Sequence, residues 1–262
     1  MEVPKYWKRQ EKPMFAELEW NLPEQKQGSV AIVGGNAQSF AIVNRVANQI
    51  GRDFPVAEVK CVMPESLRGK VPAVAEIELL PATESGSFRK SAELTRALGA
   101  RDMNIVVGEM SKNSETMVAV AEAIVATEKP TVVTRDAVEI MLGEAERIIA
   151  KENVAVVGSM MQVQKMFRTV YYPKMVMLSS PIMQIVEALH KFTLSYPVKI
   201  LTLHEGQVII AEGGEVVTTK IEQTNYTPIG MWEGRLAAEV AGMWLYNPGK
   251  YLSSAGWAII NG

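Results

Sequence analysis

From Ser29 onward, short runs of β-branched and aliphatic residues alternate with stretches in which apolar residues recur at helical spacing. VAIVGG (30–35) predicts a buried strand ending in glycines, and Val43, Val46, Ala47 and Ile50 then form a helical stripe. The same alternation recurs in VAEVKCV (56–62), in MNIVVG (103–108) before the helix SETMVAVAEAIVATE (114–128), and in PTVVT (130–134) before DAVEIMLGEAERIIA (136–150). It continues in VAVVG (154–158) before a Met-rich helix, and in KMVML (174–178) before PIMQIVEALHKF (181–192). Strands apolar on both faces, each followed by a helix, predict a mostly parallel sheet covered on both sides, a three-layer α/β/α sandwich.

The pattern changes near the end. VKILTLHEGQVIIAEGGEVVTTKIEQ (198–223) predicts strands joined by short turns, with Gly213-Gly214 as a hairpin signal. Two helices follow, with the apolar period running from Gly234 to Leu245 and from Lys250 to Ile260. No composition break or short-period repeat interrupts residues 29–262, so they are expected to form a single domain. Residues 1–28 are polar and punctuated by Pro. Their Lys5, Lys8, Arg9 and Lys12, interleaved with Tyr6 and Trp7, suit either an arm docked on the domain or contact with an anionic surface.

Composition narrows the function classes. The chain has 262 residues, 48% of them hydrophobic, and its 27 Lys and Arg nearly balance its 29 Asp and Glu for a net charge of −2. A chain of this length buries roughly 75% of the surface its unfolded form exposes, so a core needs no disulfide or structural metal. The charge balance argues against a nucleic-acid binder, which needs a surplus of cations on one face. No run of 18 apolar residues is present and the N-terminus lacks the apolar core of a signal peptide, so the expectation is a cytoplasmic protein without membrane contact. The single Cys61 sits in a strand-like run and is expected to be a buried thiol. Several of the 15 Met are crowded into SMMQVQKM and KMVMLSSPIM, and most of the 15 are expected in the core or at a subunit interface.

Parallel α/β sheets bind ligands at the carboxyl ends of their strands. The loop Gly34-Gly35-Asn36-Ala37-Gln38-Ser39 lets backbone approach a ligand before a helix N-terminus, although it lacks the third glycine of a dinucleotide fingerprint; a structural turn fits it as well. Asp136, in Thr134-Arg135-Asp136, stands where it would cap the next helix or meet a ligand. Leu178-Ser179-Ser180-Pro181 looks like a helix entry with a Ser cap. Thr227 to Gly234 carries two glycines before a helix, with Met231 and Trp232 between them. There is no Walker A loop, no G-x-S-x-G elbow and no zinc helix. His190 and His204 stand apart, and no Cys/His cluster has metal spacing. His190 is expected in the last turn of a helix, favoured by the dipole. Asn225-Tyr226-Thr227 matches a glycosylation acceptor, read as chance without a secretory signal.

In order along the chain, these loops resemble the ribokinase-like ADP/ATP-dependent NAD(P)H-hydrate dehydratases, which repair hydrated nicotinamide cofactors. Val33-Gly34-Gly35-Asn36-Ala37-Gln38-Ser39-Phe40-Ala41 is similar to the family's VVGGS-x-x-Y-x-GA segment, and Val62-Met63-Pro64-Glu65-Ser66 to its A-T-P-E-S. Ser114-Glu115-Thr116 resembles its E-E-T, and Asp136-Ala137-Val138 the second half of its D-A-D-A-L. The resemblance runs from about Lys26 to the C-terminus. It implies a ribokinase-like fold, a nucleotide or nicotinamide-type ligand, ADP or ATP as cofactor with Mg²⁺ if ATP is used, and homo-oligomers. It places ligand contacts at Gly34, Gly35, Asn36, Ser39 and Asp136, and nucleotide contacts at His204, Asn225 and Gly230. Family members commonly continue beyond the position of Asn261-Gly262, so a trimmed C-terminal edge is expected.

The departures fall on functional positions. The family's H-P-G-E turn corresponds to Ser180-Pro181-Ile182-Met183, and its L-K-G to Leu203-His204-Glu205. Its G-G-S-G-D anion hole and catalytic base correspond to Gly230-Met231-Trp232-Glu233-Gly234, which puts Gly234 where the aspartate belongs. Glu233 lies one residue away, a rotation of roughly 100° at a helix start. Loss of a general base alone costs about 10²-fold to 10⁴-fold in rate. Three readings follow: a binding protein that keeps the fold and a ligand pocket without catalysis, an active dehydratase or small-molecule kinase using Glu233 in a rearranged site, or a non-catalytic scaffold.

Overall fold

The alternating apolar runs fold, in a computed structural model that describes residues 4–9, 16–72, 75–174, 176–224 and 227–261, as one sheet of ten strands. In chain order they are β1 (Trp7–Arg9), β2 (Ser29–Gly34), β3 (Glu58–Pro64), β4 (Glu76–Leu80), β5 (Met103–Gly108), β6 (Thr131–Thr134), β7 (Val154–Val157), β8 (Lys199–His204), β9 (Gln207–Glu212) and β10 (Glu215–Lys220). The spatial order is β1-β10-β9-β8-β7-β6-β5-β2-β3-β4. Only β9 runs against the rest, since it is antiparallel to both β8 and β10 while every other pairing is parallel. The hairpin expected at Gly213-Gly214 joins β9 to β10.

The period of two along each strand separates two cores. In β2, Ala31 and Val33 enter one apolar cluster, with α3 (Ala92–Gly99), α4 (Ser114–Ala126), α5 (Ala137–Met141), α6 (Ala145–Ile149), α7 (Met160–Thr169) and α8 (Ile182–Ser195) on that face. Val30 and Ile32 enter the other, with α1 (Ala16–Glu19), α2 (Ala41–Asp53), α10 (Arg235–Tyr246) and α11 (Tyr251–Asn261). A short α9 (Pro228–Trp232) leads into α10. The stripe Val43, Val46, Ala47 and Ile50 is buried as its spacing predicts. So is Cys61, whose thiol is pushed up to about 12 by burial. Gly242 lets α10 lie against Phe54, where a Cβ would meet the ring at 2.4 Å.

The arm docks as the tenth strand. β1 pairs with β10, Trp7 Nε1 donates to Thr218 Oγ1 at 2.9 Å, and the Tyr6 ring stacks on His190 with centroids 3.6 Å apart. Arg9 lies over the Trp7 ring, whereas Lys12 lies outside the described residues. His190 is therefore held by the arm and by a bond to Gly214 O rather than by a helix end, since α8 continues for five residues beyond it.

Three local expectations are corrected. Residues 174–178 form no strand among the described residues, because the place beside β7 is taken by β8. The helix expected over 136–150 breaks into α5, a 3₁₀ turn at Leu142–Glu144 and α6, where Gly143 weakens the helix by about 1 kcal/mol relative to Ala. Pro181, not a serine, occupies the N-cap of α8, and Ser180 Oγ accepts from Met177 N instead. The methionines divide: Met63, Met103, Met110, Met141, Met160, Met166, Met231 and Met243 are buried, whereas Met161, Met177 and Met183 are exposed. No helix among the described residues is long and apolar enough to cross a membrane.

Candidate functional site

The chain winds outward from β2 to β3 and β4, then returns to place β5 on the other side of β2. The C-terminal ends of β2 and β5 are thus the point where strand order reverses, the usual ligand position in an open parallel sheet. Both strands end in glycine there. A Cβ on Gly34 would lie 2.5 Å from Gly108 O, and one on Gly108 would lie 2.0 Å from Asp136 Oδ1, so the loops meet closer than side chains allow.

This convergence brings together Gly34, Gly35, Asn36, Ser39 and Asp136, with Glu109 at their centre. Gly35 N donates to Gly108 O at 2.9 Å, and Asn36 Nδ2 to Glu109 O at 2.6 Å. The Glu109 carboxylate accepts from Ser39 Oγ at 2.7 Å and from Ile42 N, in the first turn of α2, at 2.9 Å. A negative group at a helix N-terminus is favoured by the dipole and by the open N–H groups. The anion expected from a ligand is therefore supplied by the chain itself. Glu109 escaped sequence reading; its one local signal is an acidic residue directly after a strand-ending glycine, in left-handed backbone with φ 56°.

Asp136 occupies the N-cap position of α5 but makes no cap bond. Its Oδ1 accepts from Glu109 N at 3.0 Å, tying the β5 and β6 loops together. Beside it, Arg135 is also left-handed, with φ 58°, and its carbonyl accepts from Gln162 Nε2 at 2.6 Å. The Arg135 side chain crosses to α9, where it donates to Trp232 O and lies 4.8 Å from the centre of the Trp232 ring. Between them opens a cavity of about 240 Å³ at the ends of β6, β7 and β8, walled by Arg135, Val157, Met160, Leu203, Met231 and Trp232.

The Gly230–Gly234 segment is closed on itself. Gly230 N donates to Thr227 Oγ1, Met231 N to Thr227 O, Glu233 N to Ile229 O and Gly234 N to Met231 O. Gly234 has φ 80° and its Cα faces Val46, where a Cβ would meet Cγ2 at 2.9 Å. Glu233 forms an ion pair with Arg45 at 2.6 Å, both half-exposed. His204 is buried, its Nε2 donating to Ser180 O at 2.7 Å, and it does not line the cavity. The Ser180-Pro181 turn follows no strand, and the loop at the C-terminal end of β7 is Gly158-Ser159-Met160. Asn225 lies outside the described residues.

Carboxylates near the strand ends already have protein partners: Glu109 on Ser39 and Ile42, Asp136 on Glu109, Glu233 on Arg45. Among the described residues no three of His, Cys, Asp and Glu converge to hold a metal ion. These residues form no all-protein Mg²⁺ cage.

The architecture is that of known proteins. A ribokinase-like superfamily protein of Enterococcus faecalis matches with a TM-score of 0.69 at 11% identity, over 98% of this chain and 87% of that one. The fold is ribokinase-like. Bacillus subtilis YxkO, of the UPF0031 family, matches this chain at a TM-score of 0.58 and 13% identity, over 93% and 84% of the two chains. An ADP complex of Bacillus subtilis pyridoxal kinase matches at 0.50 and 12% identity, over 88% and 89%. At these identities the likeness is one of fold. No protein-family model matches the sequence, and a search of curated proteins finds no match.

Proposed function

We propose that this ribokinase-like chain is a small-molecule-binding protein, related by its loop motifs to the NAD(P)H-hydrate dehydratases, that takes a nucleotide or nicotinamide-type ligand without phosphoryl transfer. The observation that carries the reading is the closed Gly230–Gly234 turn. A transferring phosphate needs backbone N–H groups aimed at it, and four N–H groups of this turn are already bonded to Thr227, Ile229 and Met231. A base is missing as well, since Gly234 stands at the aspartate position and Glu233 is engaged by Arg45. The framework around the strand ends persists, with the Gly34 loop, Asp136 and an adjoining cavity in place. ADP bound to a pyridoxal kinase of the same fold is compatible with a nucleotide-type ligand here.

The test is a thermal-shift titration with ADP, ATP and NADH beside an assay for conversion of hydrated NADH to NADH. The expected result is a shift without turnover, where ligand at 100 times its Kd adds about 2.7 kcal/mol. Turnover that disappears in Glu233→Gln would establish the active-enzyme reading instead. The absence of any shift would remove the ligand-binding reading.

A further inference from the structure

The cavity between Arg135 and Trp232 is chemically one-sided. Its wall is apolar at Val157, Met160, Leu203, Met231 and Trp232, and among the described residues its one ionisable lining side chain is Arg135. No carboxylate faces it to receive a cation. The guanidinium is carried on left-handed backbone, anchored by Gln162, and its Nε is buried without a hydrogen-bond partner. Gln162 is itself fixed by the capping box of α7, in which Ser159 Oγ accepts from Gln162 N and Gln162 Oε1 from Ser159 N. The capping box thus takes up the Ser159 and Gln162 N–H groups at that helix start.

Size and charge both restrict the occupant. About 240 Å³ lies below the roughly 300–1,000 Å³ of pockets that enclose drug-sized ligands, so a whole nucleotide does not fit inside. A single cation balances one negative charge, not a di- or triphosphate. Flat aromatic surface suits the thioethers and the indole. We infer that this cavity binds a small planar aromatic ring bearing one carboxylate, with the ring against Met160, Met231 and Trp232 and the carboxylate on the Arg135 fork. The assignment rests on the small-molecule reading above and moves its centre from the Gly34 loop, which Glu109 occupies, to the ends of β6, β7 and β8.

An isosteric series separates charge from shape: 2-naphthoate, 2-naphthamide and 2-(aminomethyl)naphthalene, titrated calorimetrically into the full chain. The acid is expected to bind at least about tenfold more tightly than the amide or the amine, a difference of about 1.4 kcal/mol. Arg135→Asn, which tolerates left-handed backbone, should reduce the acid to the level of the amide. Trp232→Ala should weaken acid and amide alike, and because Trp232 is 54% exposed this variant keeps its fold if Arg135→Asn does not. Equal binding of acid and amide, an unchanged affinity in Arg135→Asn, or a Kd weaker than about 1 mM for all three would overturn the assignment. Binding of ADP or NADH with no binding of 2-naphthoate would leave the nucleotide reading standing and remove this one. Binding of 2-naphthoate with none of ADP or NADH would do the reverse.

Discussion

Two glycine-bearing segments at the same end of the sheet fill their backbone N–H donors by different means. At Gly34–Ser39, a side chain from the loop after β5 fills the position: Glu109 lies at the start of α2, 67 residues from Ile42, whose N–H it accepts. At Gly230–Gly234, the donors are filled locally, by the Thr227 hydroxyl and by nearby backbone carbonyls, and Arg135 fastens the turn from outside. The first arrangement depends on one carboxylate, so a substitution can free its donors. The second is part of a helical turn, and freeing its donors requires refolding that turn.

Changes that press on this contrast are ordered by expected effect. The largest is Gly108→Ala. Its Cβ would overlap Asp136 Oδ1 in backbone of φ 82°, and the β5 and β6 loops cannot separate without losing the Glu109 contacts. A loss of at least about 3 kcal/mol in urea unfolding is expected. A loss under 1 kcal/mol would show that the first site is not held tightly.

Next comes pH. Glu239 on α10 accepts from Gln49 Nε2 on α2 at 2.8 Å, so it joins the helices that leave the two segments. Burial above all, with the Asp53 charge, pushes its carboxyl up to about 8, against the opposing bond from Gln49. A carboxyl raised in the fold keeps a proton that the unfolded chain releases near 4.3, so stability falls as pH rises through about 4.3 to 8. With Arg235 Nε 3.3 Å away to favour the ionised form, the fall attributable to Glu239 is on the order of 2 kcal/mol. Unfolding curves of Glu239→Gln at pH 5 and pH 8 should lack this part of the slope. An identical slope in variant and parent would detach Glu239 from it.

The smallest effects come from a matched pair. Glu109→Gln keeps the shape but removes the charge from the start of α2, with an expected loss of about 1 kcal/mol. Thr227→Ala removes the bond to Gly230 N, with about 0.5–1 kcal/mol lost at the short α9. Sulfate should stabilise Glu109→Gln more than the parent and leave the response of Thr227→Ala unchanged. Equal sulfate responses in the two variants would erase the distinction between the segments.

The parts of the fold that were legible in the sequence are those where local pattern and final burial coincide. β2, β5, β6 and β7 are covered on both faces, so their runs of Val, Ile and Ala stand out, and α2 and α4 follow with the period of a half-buried helix. β4 was missed because EIELL mixes charge with apolar residues at the sheet edge, where most of its side chains remain partly exposed. The run at 174–178 misled for the opposite reason: it has strand composition but Met177 and Leu178 stay exposed. Within the site, glycines and Asp136 were visible as residue types after strands. Their partner Glu109 was not, since a contact between residues 39 and 109 leaves no trace in either neighbourhood. Arg135 was invisible as a cavity wall because its meaning depends on Trp232, 97 residues away.

The docked arm sets an order of events in the making of the protein. Trp7 and Thr218, its partner, are separated by 211 positions. At about 5–20 residues per second, a ribosome takes about 10–40 s to reach Thr218 after Trp7 has been made. For that interval Tyr6 and Trp7 have neither β10 nor His190 to cover them for most of the time, and the sheet from β4 to β8 can form first. The arm is therefore a late closure, and its aromatic residues stay without their partners while the middle of the sheet is being laid down.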